Sequence, residues 1–522
     1  MGFGISNQAA GQLSIRGIGG APTTGVLILV DGVPQIMGLF GHPMADAYLT
    51  ANVEQIDVIR GPASMLYGNN AMGGAVNIRT KTNNDNGFSN NIALKYGSFN
   101  SMNVNGQSSF KNRHFDLMAS LSSNTTNGER MHSAFKSSNT YLKAAYRFNA
   151  HVSIATDYNA TRFRVEDPGP DTLAANIGSN YRVDRSNWSV VLRHQNKAAS
   201  GFLRIFENAG IHHISDGFYS EDNNAGISLN ESIHPFKTTF VNVGMDLNSY
   251  RGYAKNTSMP GLLIDTTLVK MDVYALAQQT FLNQVTLQAG LRIHFNTYKD
   301  VETIPSGGIS WVINPKTTWK AAVNKGFRDP TLRELFIWNH NRDLQPERIW
   351  NYETSLIQKV DYWNSQLEAT LFTLSGNNLI VAGSMGKLYN TGKVNNKGLE
   401  MALTTHPSKN SDVQLTFSHV QMEIPIYGTP RNQLFLNGSY RMDKWQFQSG
   451  LRWIEHLQTV ISNAHSDDIQ SFTLVNAQIT FHASKNLTLG VLGENIFNQN
   501  YETIRYFTMP GSSISSSIRY KF

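Results

Sequence analysis

From about Gly87 to the last residue, apolar and polar positions alternate with a period of two. Over residues 285–296, Val285, Leu287, Ala289, Leu291, Ile293 and Phe295 interleave with Thr286, Gln288, Gly290, Arg292, His294 and Asn296. Successive side chains of a strand point to opposite faces, so the segment predicts a strand with one face in an apolar medium and one in a polar medium. Trp445, Phe447, Leu451 and Trp453 repeat the pattern against Gln446, Gln448, Gly450 and Arg452. Leu142, Ala144, Tyr146 and Phe148 do so against Lys143, Ala145 and Arg147, and Ile514, Ile518, Tyr520 and Phe522 against Ser515, Ser517, Arg519 and Lys521. Ahead of this region the regime differs. Short apolar runs at 25–30 and 53–59, separated by turn signals at Asp31-Gly32-Val33-Pro34 and Arg60-Gly61-Pro62, predict a small mixed domain. The polar run Asn83-Asn84-Asp85-Asn86-Gly87 divides the chain into domains 1–82 and 83–522.

Alternation alone does not separate a soluble sandwich from a membrane barrel; connection lengths do. Short turns are expected at about 111–114, 149–150, 196–200, 234–237, 282–284, 314–317, 361–365, 407–412, 443–444 and 484–486. Between them lie strand pairs joined by longer, polar, Gly-rich loops, for example 125–138, 167–179, 209–224, 328–346 and 461–468. Ten short turns alternating with eleven longer loops predict 22 antiparallel strands, with both barrel ends on the short-turn side. A barrel with two unlike rims segregates its connections in this way, and one of 22 strands has a lumen wide enough to need a plug. The leading domain supplies one. The expectation is therefore an all-β transmembrane barrel holding a small α+β N-terminal plug in its lumen.

Composition supports that picture and narrows the chemistry. Charged residues are 16% of the 522 and aromatics 11%, and the longest aliphatic runs, such as Val26–Val30, are far below the roughly 18 residues of a membrane-spanning helix. The absence of Cys removes disulfides, thiolate metal sites and Cys nucleophiles. The net charge of +6 is spread over singly placed Lys and Arg, with no basic run, which argues against nucleic acid as a partner. No nucleophilic triad signature, phosphate loop, HExxH or calcium loop is found, so the chain is not expected to be an enzyme. Residues 1–11 show no charged start, apolar middle or cleavage site of a signal peptide.

Several motifs then fall in order. Ser14-Ile15-Arg16-Gly17, residues 26–34 (VLILVDGVP), residues 53–61 (VEQIDVIRG) with Pro62 to Gly68, and Ala71 to Ile78 resemble the plug of TonB-dependent outer-membrane receptors. Phe327-Arg328-Asp329-Pro330, Leu344-Gln345-Pro346-Glu347, Glu494-Asn495-Ile496-Phe497-Asn498 and the terminal Phe522 resemble boxes of the family's barrel. The resemblance runs from about Leu13 to Phe522. It implies an outer-membrane location and active import of a scarce metal complex, most readily iron as haem or a ferric siderophore, with copper or cobalamin as alternatives. A passive or adhesive barrel is the competing reading, disfavoured by the plug motif. The resemblance also implies energy coupling by a TonB–ExbB–ExbD complex through an N-terminus missing here, contact with outer-membrane lipids, and leaves open a surface lipoprotein over the loops. No intrinsic cofactor is expected; the metal complex is cargo.

The same resemblance implies site residues. Arg16 and Arg60 match plug arginines, and Glu353 and Glu400 match lumen-facing barrel glutamates, so two Arg–Glu contacts are expected to seat the plug. His42, in Phe40-Gly41-His42-Pro43-Met44, falls where the family places an apical loop, and His340 lies between the two barrel boxes. Haem receptors resemble this arrangement, with one His from each side of the iron, whereas His42 with Met44 would suit copper. Phe218, Tyr219, Phe336, Trp338 and Tyr427 fall in or near predicted outer loops and are candidate contacts to a planar or catecholate ligand.

Overall fold

The computed structural model describes the chain except residues 1–12, 21–22, 48–51, 84, 173–178, 259–260, 300, 384–385, 425–427 and 461–467. Tyr427 lies outside the described residues. Twenty-two antiparallel strands, from Gly87–Gly97 to Ser513–Lys521, close into one barrel, and these first and last strands pair with each other, Leu94 opposite Ile518. No helix among the described residues is long and apolar enough to cross a membrane.

The alternation read along residues 285–296 sorts by face as expected. Leu287 and Leu291 are each 45% exposed on the outside, while Arg292 and His294 on the other parity are buried in the lumen. Turns on the terminus side are tight, as between Met442 and Trp445 or between Arg147 and Val152.

One predicted loop is absent. Residues 209–224 were expected to be a long connection, yet strands Ala199–Ile214 and Phe218–Phe236 stay paired as far as His213 opposite Tyr219, leaving 215–217 for the turn. The turn closes at Gly217, whose φ of 91° a side chain would resist. Here both faces are polar, because the wall stands clear of hydrocarbon while its inner face packs on a polar plug. Polar composition then imitates a loop although the ladder continues.

The lumen is filled by the leading residues. Strands Val26–Val30 and Gly74–Thr80 run parallel in the middle of a four-stranded sheet, flanked by Val33–Pro34 and Val53–Arg60. A two-stranded ribbon, Leu13–Ile15 with Ile18–Gly20, a short helix, Ser64–Tyr67, and a 3-10 turn, Ala45–Ala47, complete the described plug. Apolar packing crosses from plug to wall: Leu27, Leu29 and Ile36 cluster with Tyr250, Ile18 and Met72 with Ile349 and Phe372, and Met65 with Leu276 and Phe327.

Plug seat and candidate binding apex

The ribbon turn carries Arg16 in a left-handed conformation, φ 54°, which aims its guanidinium at the wall strands Glu347–Val360 and Leu388–Ser408. Its Nε and Nη2 donate to the two oxygens of Glu400, each at 3.0 Å, and its Nη1 donates to Glu353 at 2.6 Å and to Asn351 at 3.2 Å. Phe372 lies under the guanidinium, 4.3 Å from ring centroid to Cζ, and Asn396 donates to the Arg16 carbonyl. Arg60 adds a hydrogen bond to Glu400 at 3.2 Å. Burial opposes the Arg16 charge, but Glu400 and Glu353 outweigh it and hold its pKa above the ordinary value. Gly61 is required beside it. At φ 82° its added Cβ would stand 2.9 Å from Arg16 Nη1 and 3.2 Å from Asn351.

The plug helix is seated by a second group that sequence reasoning did not single out as a site. Arg292 donates to the Leu66 carbonyl at 3.3 Å and is held by Asp272 at 2.8 Å and Asp246 at 2.6 Å. His294 bridges Asp272 and Asp329, each at 2.9 Å, and Lys270 reaches Asp329 at 2.7 Å. The Asp329 N–H donates to Asn69 of the plug, and the Phe327 N–H to Ser64. Alternation alone signalled the inward direction of Arg292 and His294; it carried no sign of their partners, which come from strands Thr239–Asn256 and Leu262–Phe281 and from Asp329, just past the end of Thr317–Arg328.

The outward end of the plug is the segment 35–44. The Gly38 N–H donates to Asp222 at 2.9 Å, and Asp222 is gripped by both Nη atoms of Arg185, at 2.8 and 3.1 Å. Gln35 accepts from Asn187 and Asn208 of the wall. Beyond these contacts Phe40 meets Phe218 at 6.0 Å and Trp338 at 6.3 Å between centroids, and Phe218 meets Trp338 at 5.1 Å. Trp338 is 46% exposed and Phe40 partly so, with Phe218 buried beneath them, so Phe40 and Trp338 present aromatic surface at the outer mouth. Helix Leu332–Phe336 braces it through a capping box, Thr331 with Glu334, and through the Arg333 N–H on the Leu39 carbonyl.

Residues 62–496 match the family model for the TonB-dependent receptor-like β-barrel, and residues 3–75 match the TonB-dependent receptor plug domain. The chain belongs to the TonB-dependent receptor family. As in that family, the closed barrel and its plug place the molecule in the outer membrane. The vitamin B12 transporter BtuB of Vibrio vulnificus (strain YJ016) is 20% identical over 567 aligned residues, covering 99% of this chain and 87% of that protein. Among solved structures, the siderophore receptor PirA from Acinetobacter baumannii has a TM-score of 0.84 at 16% identity, covering 99% of this chain and 94% of that one. The copper transporter OprC has a TM-score of 0.82 at 15% identity, with coverage of 99% and 96%. At these identities the structures share the fold.

The other expected contacts of this TonB-dependent receptor are placed as follows. His42 is half-buried, 5.9 Å from the Phe40 ring, with Nδ1 on the Pro43 carbonyl. Burial lowers its pKa, aided by Arg185 and opposed by Pro43 and Asp222, so the imidazole is neutral at neutral pH with Nε2 uncommitted among the described residues. His340 is exposed beyond Trp338, and the structure records no contact between the two imidazoles. Among the described residues no three His, Asp or Glu side chains are spaced to hold a metal ion. Met44 packs on Phe135, Phe163, Val165 and Val183, and Phe336 turns aside to Tyr298 at 5.6 Å, with Arg342 over its ring.

Tyr219 faces away from the plug apex. Its neighbours Phe218 and Ser220 are buried inward, so the period of two turns Tyr219 to the outer surface, against His213 and Tyr253. Phe218, one residue earlier, is the aromatic that reaches the apex.

Proposed function

We propose that this TonB-dependent receptor imports iron bound to an aromatic chelator, a ferric siderophore of catecholate type. The observation that carries the reading is the Phe40 and Trp338 pair, backed by the buried Phe218, which joins plug apex and barrel loop in one partly exposed aromatic surface. Aromatic pairs gain about 0.5–1.5 kcal/mol beyond area burial, so a chelator with several rings finds a partner there without coordinating its metal to protein. Solved structures of similar fold include a siderophore receptor and an iron transporter, which agrees with this cargo. Haem is the second reading, favoured by the neutral His42 imidazole and its uncommitted Nε2. Copper through Met44 would require that side chain to leave its apolar cluster. Import draws on TonB with ExbB and ExbD in this reading, and loss of the Arg16 and Arg60 contacts to Glu400 and Glu353 accompanies movement of the plug.

Titration of the purified receptor with a ferric catecholate, haem, Cu(II) and cobalamin tests the proposal. The ferric catecholate should bind most tightly, and Phe40→Ala or Trp338→Ala should weaken it about tenfold or more, with His42→Ala and His340→Ala close to parent. A Soret shift with haem that His42→Ala abolishes, without catecholate binding, would replace this reading by the second.

A further inference from the structure

A cavity of about 980 Å³ lies between the plug and the wall strands from Phe115–Thr126 to Val285–Asn296. It runs from Leu27 and Leu29 of the plug sheet to the exposed Thr82, whose neighbour Asn83 bonds Asp116 beside a short turn. Its size is at the top of the range of small-molecule sites, about 300–1,000 Å³. Where the plug turn Asp31–Gly32 meets the wall, two arginines share the lumen face. Arg204 of Ala199–Ile214 is opposite Val191, and Arg193 of Ser179–Gln195 is opposite Phe202. Val191 and Phe206 are buried inward while Leu192, Leu203 and Ile205 are exposed outward, which fixes the inward parity of both arginines. They are diagonal neighbours, about 7–8 Å apart along the sheet.

Neither arginine has a carboxylate partner among the described residues. Arg204 is 9% exposed and commits Nη1 to the Gly32 carbonyl at 2.7 Å and Nη2 to the Asp31 carbonyl at 2.9 Å, while its buried Nε has no hydrogen-bond partner. Arg193 has neither hydrogen bond nor ion pair among those residues. The acids of this face are committed elsewhere: Asp157 accepts from Ser189 at 2.5 Å, and Asp31 from Thr80 and, at 3.2 Å, from Lys143. Two guanidinium groups on one face, one of them buried, are short of an anion.

The site also has a ring. Phe202 is directly opposite Arg193, and its centroid lies 5.0 Å from Arg204 Cζ. A ring face between two forked donors, beside a cavity of this size, suits an anion that is itself aromatic and carries several oxygens.

We propose that this cavity is an inner station for an anionic iron chelate, with Arg193 and Arg204 taking its catecholate oxygens beside Phe202. The proposal rests on the reading of the cargo as a ferric catecholate, whose doubly deprotonated rings outweigh the charge of Fe(III). The full chain, purified in neutral detergent, is dialysed to equilibrium against iron(III) tris-catecholate, and bound iron is counted per chain. The parent should take two equivalents, and a tenfold rise in salt should weaken the second far more than the first. Arg193→Gln, which removes no plug contact, should weaken the second about tenfold or more and leave the first. F40A/W338A should lose the first and keep the second, and inorganic phosphate at equal ionic strength should displace neither. A parent that binds one equivalent, lost in F40A/W338A, overturns the station and leaves the apex reading standing. One equivalent lost in Arg193→Gln and kept by F40A/W338A overturns the apex reading and leaves the station. Two equivalents kept by both Arg193→Gln and Arg204→Gln, or a second equivalent displaced by phosphate, overturns the station, and a parent that binds none overturns both.

Discussion

Glu400 accepts from Arg16 Nε, Arg16 Nη2 and Arg60 Nη1, whereas Glu353 accepts from Arg16 Nη1 and Asn351 and is more exposed. The two carboxylates are thus unequal. Glu400→Ala leaves the buried Arg16 without its bidentate partner and should loosen the ribbon Leu13–Gly20 by about 3–5 kcal/mol. Glu353→Ala should cost about 1–2 kcal/mol, since Glu400 remains. Hydrogen exchange of that ribbon measures both, and equal effects would contradict the ranking. Asp46 carries a pH dependence. Burial pushes its carboxyl up to about 7, and Oδ2 has no hydrogen-bond partner among the described residues. The folded state thus holds a proton that the unfolded chain releases near pH 4, so stability from this group is complete below about pH 4 and is lost as pH rises through about 7. Local exchange of residues 43–47 should quicken from pH 5 to pH 8 in the parent, and Asp46→Asn should flatten that slope.

The apical segment depends on wall strands rather than on its own turns. Asp222 is its principal anchor, tying the Gly38 N–H to Arg185. Asp222→Ala removes that anchor and strands the buried Arg185, so protease should reach residues 35–44 faster while the barrel stays heat-resistant. An unchanged cleavage rate would mean that Gln35, Asn187 and Asn208 hold the segment unaided. Gly38 permits the approach, because its added Cβ would fall 2.3 Å from the Asn223 carbonyl oxygen. The wall strands beyond it, over 209–224, read as a loop in sequence, since polar residues on both faces of a strand leave no alternation in hydropathy.

The whole molecule stands on two unlike interfaces, lipid outside and a polar plug inside. A charge introduced on the outer face near mid-membrane should therefore be costly: Leu291→Arg should destabilise the barrel by about 2–4 kcal/mol, measured as a lower midpoint of heat modification, and a midpoint equal to the parent's would place Leu291 outside the hydrocarbon. The strand number, the facing of Arg292 and His294 and the family were legible in the chain, because a period of two, connection lengths and ordered motifs are local properties. Arg16, Arg60, Glu353 and Glu400 were legible only through family resemblance. Their convergence depends on strands more than 300 residues away in sequence, which barrel closure brings to the ribbon turn. Tertiary structure alone decided that Phe218 and not Tyr219 meets the apex and that Met44 is packed away. Each depends on register between strands, and a slip of one residue would reverse every face.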